Sequence, residues 1–418
     1  MTSSITSATP HAPPGGAPPG AGRALTVLAA ATFLSMSVWF SASFVVPQLT
    51  RLWSLSAGET SLLTIGVQLG FVVGALSSAA TGLADIVSGR VLMSLGALGA
   101  AGSNLGLLWA HGLWTAVALR VLTGLFLAAV YPSALKEVST WFQRGRGKAL
   151  GVMIGALTLG SALPHLVNAS GGLDWRIVIA ATSALTGAGS ALVMLQRTSG
   201  PYPFPKSSFR ISAALSAIRT RPVMLANLGY MGHMWELYAM WAWVAAFLVS
   251  LPAIASHAHP ETTASMLAFL CIGVGAAGCF VGGIISDRRG RAASALVCLV
   301  CSGSAAVLIG VFRAAPLPVV LSLCVFWGFW VIADSAQFSA LVTEKADARY
   351  VGSAVSVQLA LGYLTTTVTL WLVPVVVARA SWTWALALLA IGPVVGAFAM
   401  IALLRMDRST RQAAGQTS

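Results

Sequence analysis

Stretches of about 20 apolar residues, each as long as a hydrocarbon layer is thick when coiled into a helix, recur along this chain. They lie near 24–47, 60–82, 91–110, 113–133, 149–168 and 175–195, and again near 222–249, 263–285, 292–312, 316–341, 351–377 and 382–404. A soluble core has no use for so many runs of that length. Within lipid only a helix satisfies every backbone N–H and C=O inside a single segment. The expected fold class is therefore an all-α membrane protein of twelve transmembrane helices. Composition agrees, with 57% hydrophobic and 8% charged residues and a mean hydropathy of +0.84.

The net charge of +13 would suggest a nucleic-acid partner in a soluble protein. Here the positions of the charges give another meaning. With the N-terminus in the cytoplasm, the outer loops and span ends hold only Arg51, Arg176, Arg313 and Arg379, Arg120 lies within a span, and all other Lys and Arg fall inside. The positive-inside rule then puts both termini in the cytoplasm, which requires an even number of spans. The chain is expected in the cytoplasmic membrane, as a monomer in the lipid bilayer and without a nucleic-acid partner.

Residues 1–22, with Pro10, Pro13, Pro14, Pro18 and Pro19 among Gly and Ala, read as a disordered cytoplasmic tail. The Pro-rich basic stretch 197–221 reads as a cytoplasmic linker. It separates a six-helix bundle at 23–196 from a second at 222–405, with a cytoplasmic tail at 406–418. All five cysteines, Cys271, Cys279, Cys298, Cys301 and Cys324, fall inside spans, so no disulfide framework is indicated.

A charged motif occurs twice, about half a chain apart, each time after an even-numbered span. The first copy runs from Gly82-Leu83-Ala84-Asp85 to Gly89-Arg90. The second reads Gly283-Ile284-Ile285-Ser286-Asp287-Arg288-Arg289-Gly290-Arg291. Two homologous bundles joined in tandem would produce this duplication, as in many carriers. An Asp at a helix end can accept N–H bonds from the first turn of another helix and pair with Arg, a contact that sliding bundles break and remake.

The layout and the motif resemble the major facilitator superfamily over residues 24–404. The resemblance implies two six-helix bundles around a central cavity, with the repeated loops acting as a conformational latch. The gating residues would then be Asp85, Arg90, Gly283, Asp287, Arg288, Gly290 and Arg291. Ile86 stands where the family has Arg, and one position is added before Arg90. Arg120 followed by Gly124 is similar to the Arg-x-x-x-Gly motif of the fourth span. An arginine there costs roughly 2.5 to 3.5 kcal/mol on insertion scales and is expected to face the bundle interior, orienting an anion or influencing a carboxyl. In the fifth span Gly151, Gly155, Gly160 and Ser161 read as a helix-packing face.

Most acidic residues map to loops and helix ends. Glu236, midway along the seventh span, and Asp334, in the tenth, do not. Ionised carboxyls are costly in apolar surroundings, which makes these two candidate proton carriers. His233 lies three residues before Glu236, on the same helical face, so the two are expected to act as a pair. Gln337 shares a face with Asp334. The resemblance puts the seventh and tenth helices on the cavity.

Trp39 and Phe40 in the first span, Gln68 in the second, Asn104 in the third, and Gln358 and Tyr363 in the eleventh are candidates to line the same cavity. Tyr238 joins them beside Glu236. Among the many tryptophans, Trp235 and Trp330 are singled out for the solute because they neighbour the carboxyls; Trp241, Trp243 and Trp327 are equally explained as belt residues. His165, after Pro164, reads as a wetted rim residue.

Proton-driven transport of a small-molecule substrate accounts for these features, with efflux of a drug-like or cationic compound as the alternative. No Gly-x-x-x-x-Gly-Lys-Ser/Thr segment suggests an ATP-driven pump, and no His-Glu-x-x-His segment or nucleophile spacing suggests an enzyme. No cofactor or metal is expected. A channel would call for rings of identical polar residues. Spans four, five and ten also resemble the nitrate, nitrite and cyanate porters. Those porters grip the anion with arginines in the second and eighth spans. This chain offers Gln68 in the second, and no arginine in the eighth before Arg288 at its end.

Overall fold

The computed structural model describes residues 18–142, 146–169, 174–202, 220–347 and 351–415. Within them every element is helical. Eleven helices are long and apolar enough to cross a membrane. A twelfth, the seventh span at Arg221–Val249, has the length but carries Asn227, His233 and Glu236 within it. Its polarity is what sets it apart. With it, the described residues hold twelve spans, as the apolar pattern requires.

The spans pack as two six-helix bundles. Because lipid gives helices no hydrophobic reason to associate, close approach of small residues has to do so. The second and fourth spans (Ala57–Thr81 and Leu113–Leu127) illustrate this. A Cβ placed on Gly124 would lie 2.0 Å from the Val67 carbonyl oxygen, so only glycine fits. The second bundle repeats the arrangement between the eighth and tenth spans, where a Cβ on Gly328 would lie 1.7 Å from the Cys271 oxygen.

Several spans are interrupted. The first runs Ala21–Ser35, passes through a 3-10 turn at Met36–Val38 and resumes at Ser41–Trp53. The fourth breaks between Leu127 and Tyr131 and continues to Ser139. The tenth breaks between Val331 and Ser335, with Asp334 at the restart, and ends at Lys345. The twelfth stays helical from Trp382 to Gly415, well into the segment expected as a tail. Residues 1–17 of the expected N-terminal tail and 203–219 of the expected linker lie outside the described residues.

The bundles meet along two seams, second span against eleventh (Val351–Arg379) and fifth (Arg146–Ala169) against eighth (Pro260–Gly273 and Gly275–Arg289). The glycine face of the fifth span lies in the second seam, with Gly155 opposite Ala276 and Gly151 opposite Cys279. Gly160 packs instead on the Phe33 backbone within its own bundle.

Candidate functional site

The interruption of the first span frees backbone carbonyls that a continuous helix would consume, and Arg120 collects them. Its Nη1 donates to the Val38 oxygen (3.0 Å), to Ser41 Oγ (3.1 Å) and to Asn104 Oδ1 (3.1 Å). Nη2 donates to the Trp39 oxygen, and Nε donates to the Leu63 oxygen of the second span (3.2 Å). Asn104 is spent in the same network. Its Oδ1 also accepts from Ser41 Oγ (2.6 Å), and its amide donates to Ser183 Oγ (2.9 Å).

This corrects two expectations. Arg120 is fully buried, as anticipated, but among its acceptors there is no carboxyl, and the nearest purpose of its fork is to hold a broken helix. Asn104 faces the interior of its bundle and not the solute path.

Held this way, the break turns Trp39 and Phe40 toward the second bundle. The Trp39 ring lies 5.7 Å from that of Tyr238 and 5.6 Å from that of Tyr363. Phe71, of the second span, packs 4.3 Å from Tyr363 and 5.2 Å from Trp39. Phe40 meets Tyr238 and Trp241, each at 6.0 Å. The Tyr238 and Tyr363 hydroxyls share a 3.0 Å hydrogen bond. Trp39, Tyr238 and Tyr363, chosen from the sequence, thus converge between the bundles. Phe71 and Trp241 complete the group and were not singled out. Apolar aromatics in apolar helices carry no sequence signal of facing inward.

The carboxyls sit deeper in the second bundle and do not pair as expected. Glu236 is sealed inside it: Oε2 accepts from Ser302 Oγ and Oε1 from Trp327 Nε1, both at 2.7 Å. His233 turns away from Glu236 toward Asp334, with Nδ1 2.8 Å from Oδ1 at ion-pair rather than hydrogen-bond geometry. Both residues are 1% exposed. The rings of Tyr230 and Phe338 flank the imidazole at 6.0 and 5.5 Å. Spacing along one helix favoured the His233–Glu236 pair; the break at Asp334 brings a closer partner across the bundle.

The other candidates separate. Gln68 is fully buried one turn from Phe71, and neither of its amide atoms has a partner among the described residues. Gln337 is buried beside Asp334, whose carbonyl its backbone N–H reaches at 2.8 Å. Gln358 donates to the Phe338 oxygen at 3.2 Å, tying the eleventh span to the tenth. Trp235 and Trp330 are misplaced for a solute wall. Trp235 donates to the Leu388 oxygen of the twelfth span (3.0 Å), and Trp330 packs on Phe326 and Phe329 at the outer surface. Tryptophan is at home against protein or lipid, so residue type alone does not say which side of the helix either one takes. His165 is 1% exposed and approaches the backbone of Trp241 across the bundle boundary, so it is not a wetted rim residue.

On the face that carries the repeated motif, each bundle has its own clamp. Arg90 lies 3.9 Å from the Glu137 carboxylate and donates to the Gln196 oxygen at 2.5 Å. Arg291 pairs with Glu344, and the neighbouring Lys345 reaches Asp407 of the twelfth span at 2.6 Å. Gly290, with φ 86, makes the tight turn before Arg291 that only glycine takes readily. Asp287 is exposed and reaches across the seam, since a Cβ on Gly147 would lie 3.5 Å from its Oδ1. Arg288 is exposed, a Cβ on Gly283 would lie 3.9 Å from the Gly147 oxygen, and the Asp85 side chain lies outside the described residues. Glu137 and Glu344 were missed. A Glu next to a Lys at the end of matched spans, Lys136-Glu137 and Glu344-Lys345, is the signal that finds them.

Twelve helices in two bundles, with paired clamps and a shared aromatic centre, define a multi-pass helical membrane protein. The chain belongs to the major facilitator superfamily, whose family model matches residues 28–369. It is similar to the MFS transporter asaE of Aspergillus flavus, with 27% identity over 229 residues that cover 54% of this chain and 50% of that protein. The chain thus matches about half the length of that relative. Among solved structures it resembles a bacterial homolog of the human lysosomal transporter Spinster. In the inward-facing, unoccupied form the TM-score is 0.69 at 16% identity, covering 93% of this chain and 99% of that one. In the inward-facing, occupied form it is 0.67 at 15%, covering 94% and 98%.

Proposed function

We propose that protons drive this transporter, and that it moves a small solute across the cytoplasmic membrane by alternating access, as a monomer with both termini inside. The observation that carries this reading is the buried His233–Asp334 contact. A buried imidazole–carboxylate pair is a place where a proton can be taken up, which would neutralise the carboxyl and remove its pull on the imidazole. Such a change has somewhere to go. Asp334 sits at the break in the tenth span, and His233 shares its helix with Tyr238, which faces the first bundle. Proton uptake at the pair would loosen the lower half of the tenth span and shift the aromatic centre together with it. Glu236, held by two donors, is a second carboxyl close by.

The test begins with a growth-sensitivity screen of overexpressing and deleted strains to name a solute. That solute is then followed in proteoliposomes under an imposed pH gradient. Flux should follow the gradient in the wild type and lose its gradient dependence in Asp334→Asn, with counterflow retained. Gradient-driven flux unchanged in Asp334→Asn would overturn the assignment.

A further inference from the structure

The aromatic centre holds several buried polar atoms that no described residue satisfies. Trp39 Nε1, Trp241 Nε1 and both amide atoms of Gln68 are buried without a partner among the described residues. An indole nitrogen only donates, and an amide nitrogen brings further donors. The Tyr238 and Tyr363 hydroxyls share one hydrogen bond, which uses one of their two hydrogens. Gln68 Oε1 and the remaining lone pairs of the two hydroxyl oxygens can accept, whereas the two indole N–H groups can only donate. Nearby carboxylates are engaged elsewhere, Glu236 by Ser302 and Trp327 and Asp334 by His233. A guanidinium lies alongside, since Arg120 donates to the carbonyl of Trp39 itself.

Buried donors left unpaired cost about 1–3 kcal/mol each, so a transporter keeps several of them only where something else supplies the acceptors. The rings around them come from both bundles and meet ring against ring across the boundary. When the bundles part, the faces of Trp39, Phe71 and Tyr363 are freed for a flat molecule.

We infer that the central site takes a flat aromatic solute whose polar edge carries hydrogen-bond acceptors, a carbonyl or carboxylate group, set between the Trp39 and Trp241 indoles, Gln68 and the tyrosine pair. The inference rests on the alternating-access reading for access to the site. An aromatic cage alone would also suit an ammonium ion. A cage that sets two donor-only indoles beside a guanidinium and holds no carboxylate of its own disfavours one.

Equilibrium binding to the full-length protein in nanodiscs tests this without any gradient. The probes are naphthalene-2-carboxylate, 2-naphthylmethylammonium and decanoate. Naphthalene-2-carboxylate should bind at least tenfold more tightly than either of the others. Trp39→Phe and Gln68→Leu should each weaken it severalfold, since the first keeps a ring and removes only the N–H. Both variants should keep the wild-type melting temperature, which separates lost binding from lost folding. An ammonium probe that binds as well or better, no binding by any probe, or wild-type affinity in both variants would overturn the inference. His233→Gln and Asp334→Asn should still bind the carboxylate. Binding retained with proton coupling lost therefore identifies a failure of one reading and not the other.

Discussion

His233 Nδ1 lies 2.8 Å from Asp334 Oδ1, joining the middle of the seventh span to the break in the tenth, with each side chain 1% exposed. Removing one member of a buried ion pair leaves the other uncompensated and costs about 3–5 kcal/mol. Asp334→Ala and His233→Ala should each lower the melting temperature markedly. The double variant should fall well short of the sum, because the second substitution removes a charge that has already lost its partner. Scanning fluorimetry of the three variants checks the cycle. Additive losses would mean that the two side chains are neighbours and not a pair.

Arg120 makes a different prediction from the one its place within a span suggests. Its planar fork spans the Val38 and Trp39 carbonyls of the first span and the Leu63 carbonyl of the second. A lysine ammonium keeps the charge and loses that geometry. Arg120→Lys should therefore destabilise the protein by several kcal/mol, at about 1–3 kcal/mol for each buried acceptor abandoned. The pH profile of whatever transport remains should be unchanged. A shifted profile with normal stability would restore a role in proton coupling.

The contrast between these residues shows what the sequence makes legible. Span length, span number, the two-bundle repeat and the unusual cost of Glu236, Asp334 and Arg120 can all be read from residue type, because lipid penalises any polar group whichever way it points. Direction is not legible in the same way. Trp235 and Tyr238 lie within one turn of each other, yet one bonds the twelfth span and the other faces the first bundle. A helix buried by protein on one side and lipid on the other is apolar on both. Breaks are equally hidden, since no proline or glycine marks Ile332 to Asp334, and the His233 partner was misassigned for that reason.

The two clamps on the motif face should differ in strength. Glu137 is buried and sits beside Arg90, while Arg291 and Glu344 are 39% and 49% exposed. Exposed pairs contribute about 0–1 kcal/mol. Glu344→Gln should leave the melting temperature nearly unchanged. Glu137→Gln should lower it measurably, because Arg90 then keeps only the Gln196 carbonyl. Equal effects would show that the two bundles are latched alike.

Glycine substitutions test the packing with opposite signs. A Cβ on Gly102, in the third span, would meet nothing within 4 Å. There an alanine removes backbone freedom from the unfolded chain and should stabilise by about 0.5–1 kcal/mol. A Cβ on Gly328 would lie 1.7 Å from the Cys271 oxygen, and one on Gly124 2.0 Å from that of Val67. Backbone cannot yield as a flexible side chain does, so the helices must separate. Gly328→Ala and Gly124→Ala should then lose monodispersity on size exclusion or melt well below the wild type. The eighth and tenth spans carry Asp334 and the latch between them, so Gly328→Ala should also impair transport in whatever fraction folds. A folded Gly328→Ala protein with the wild-type melting temperature would refute the close backbone contact.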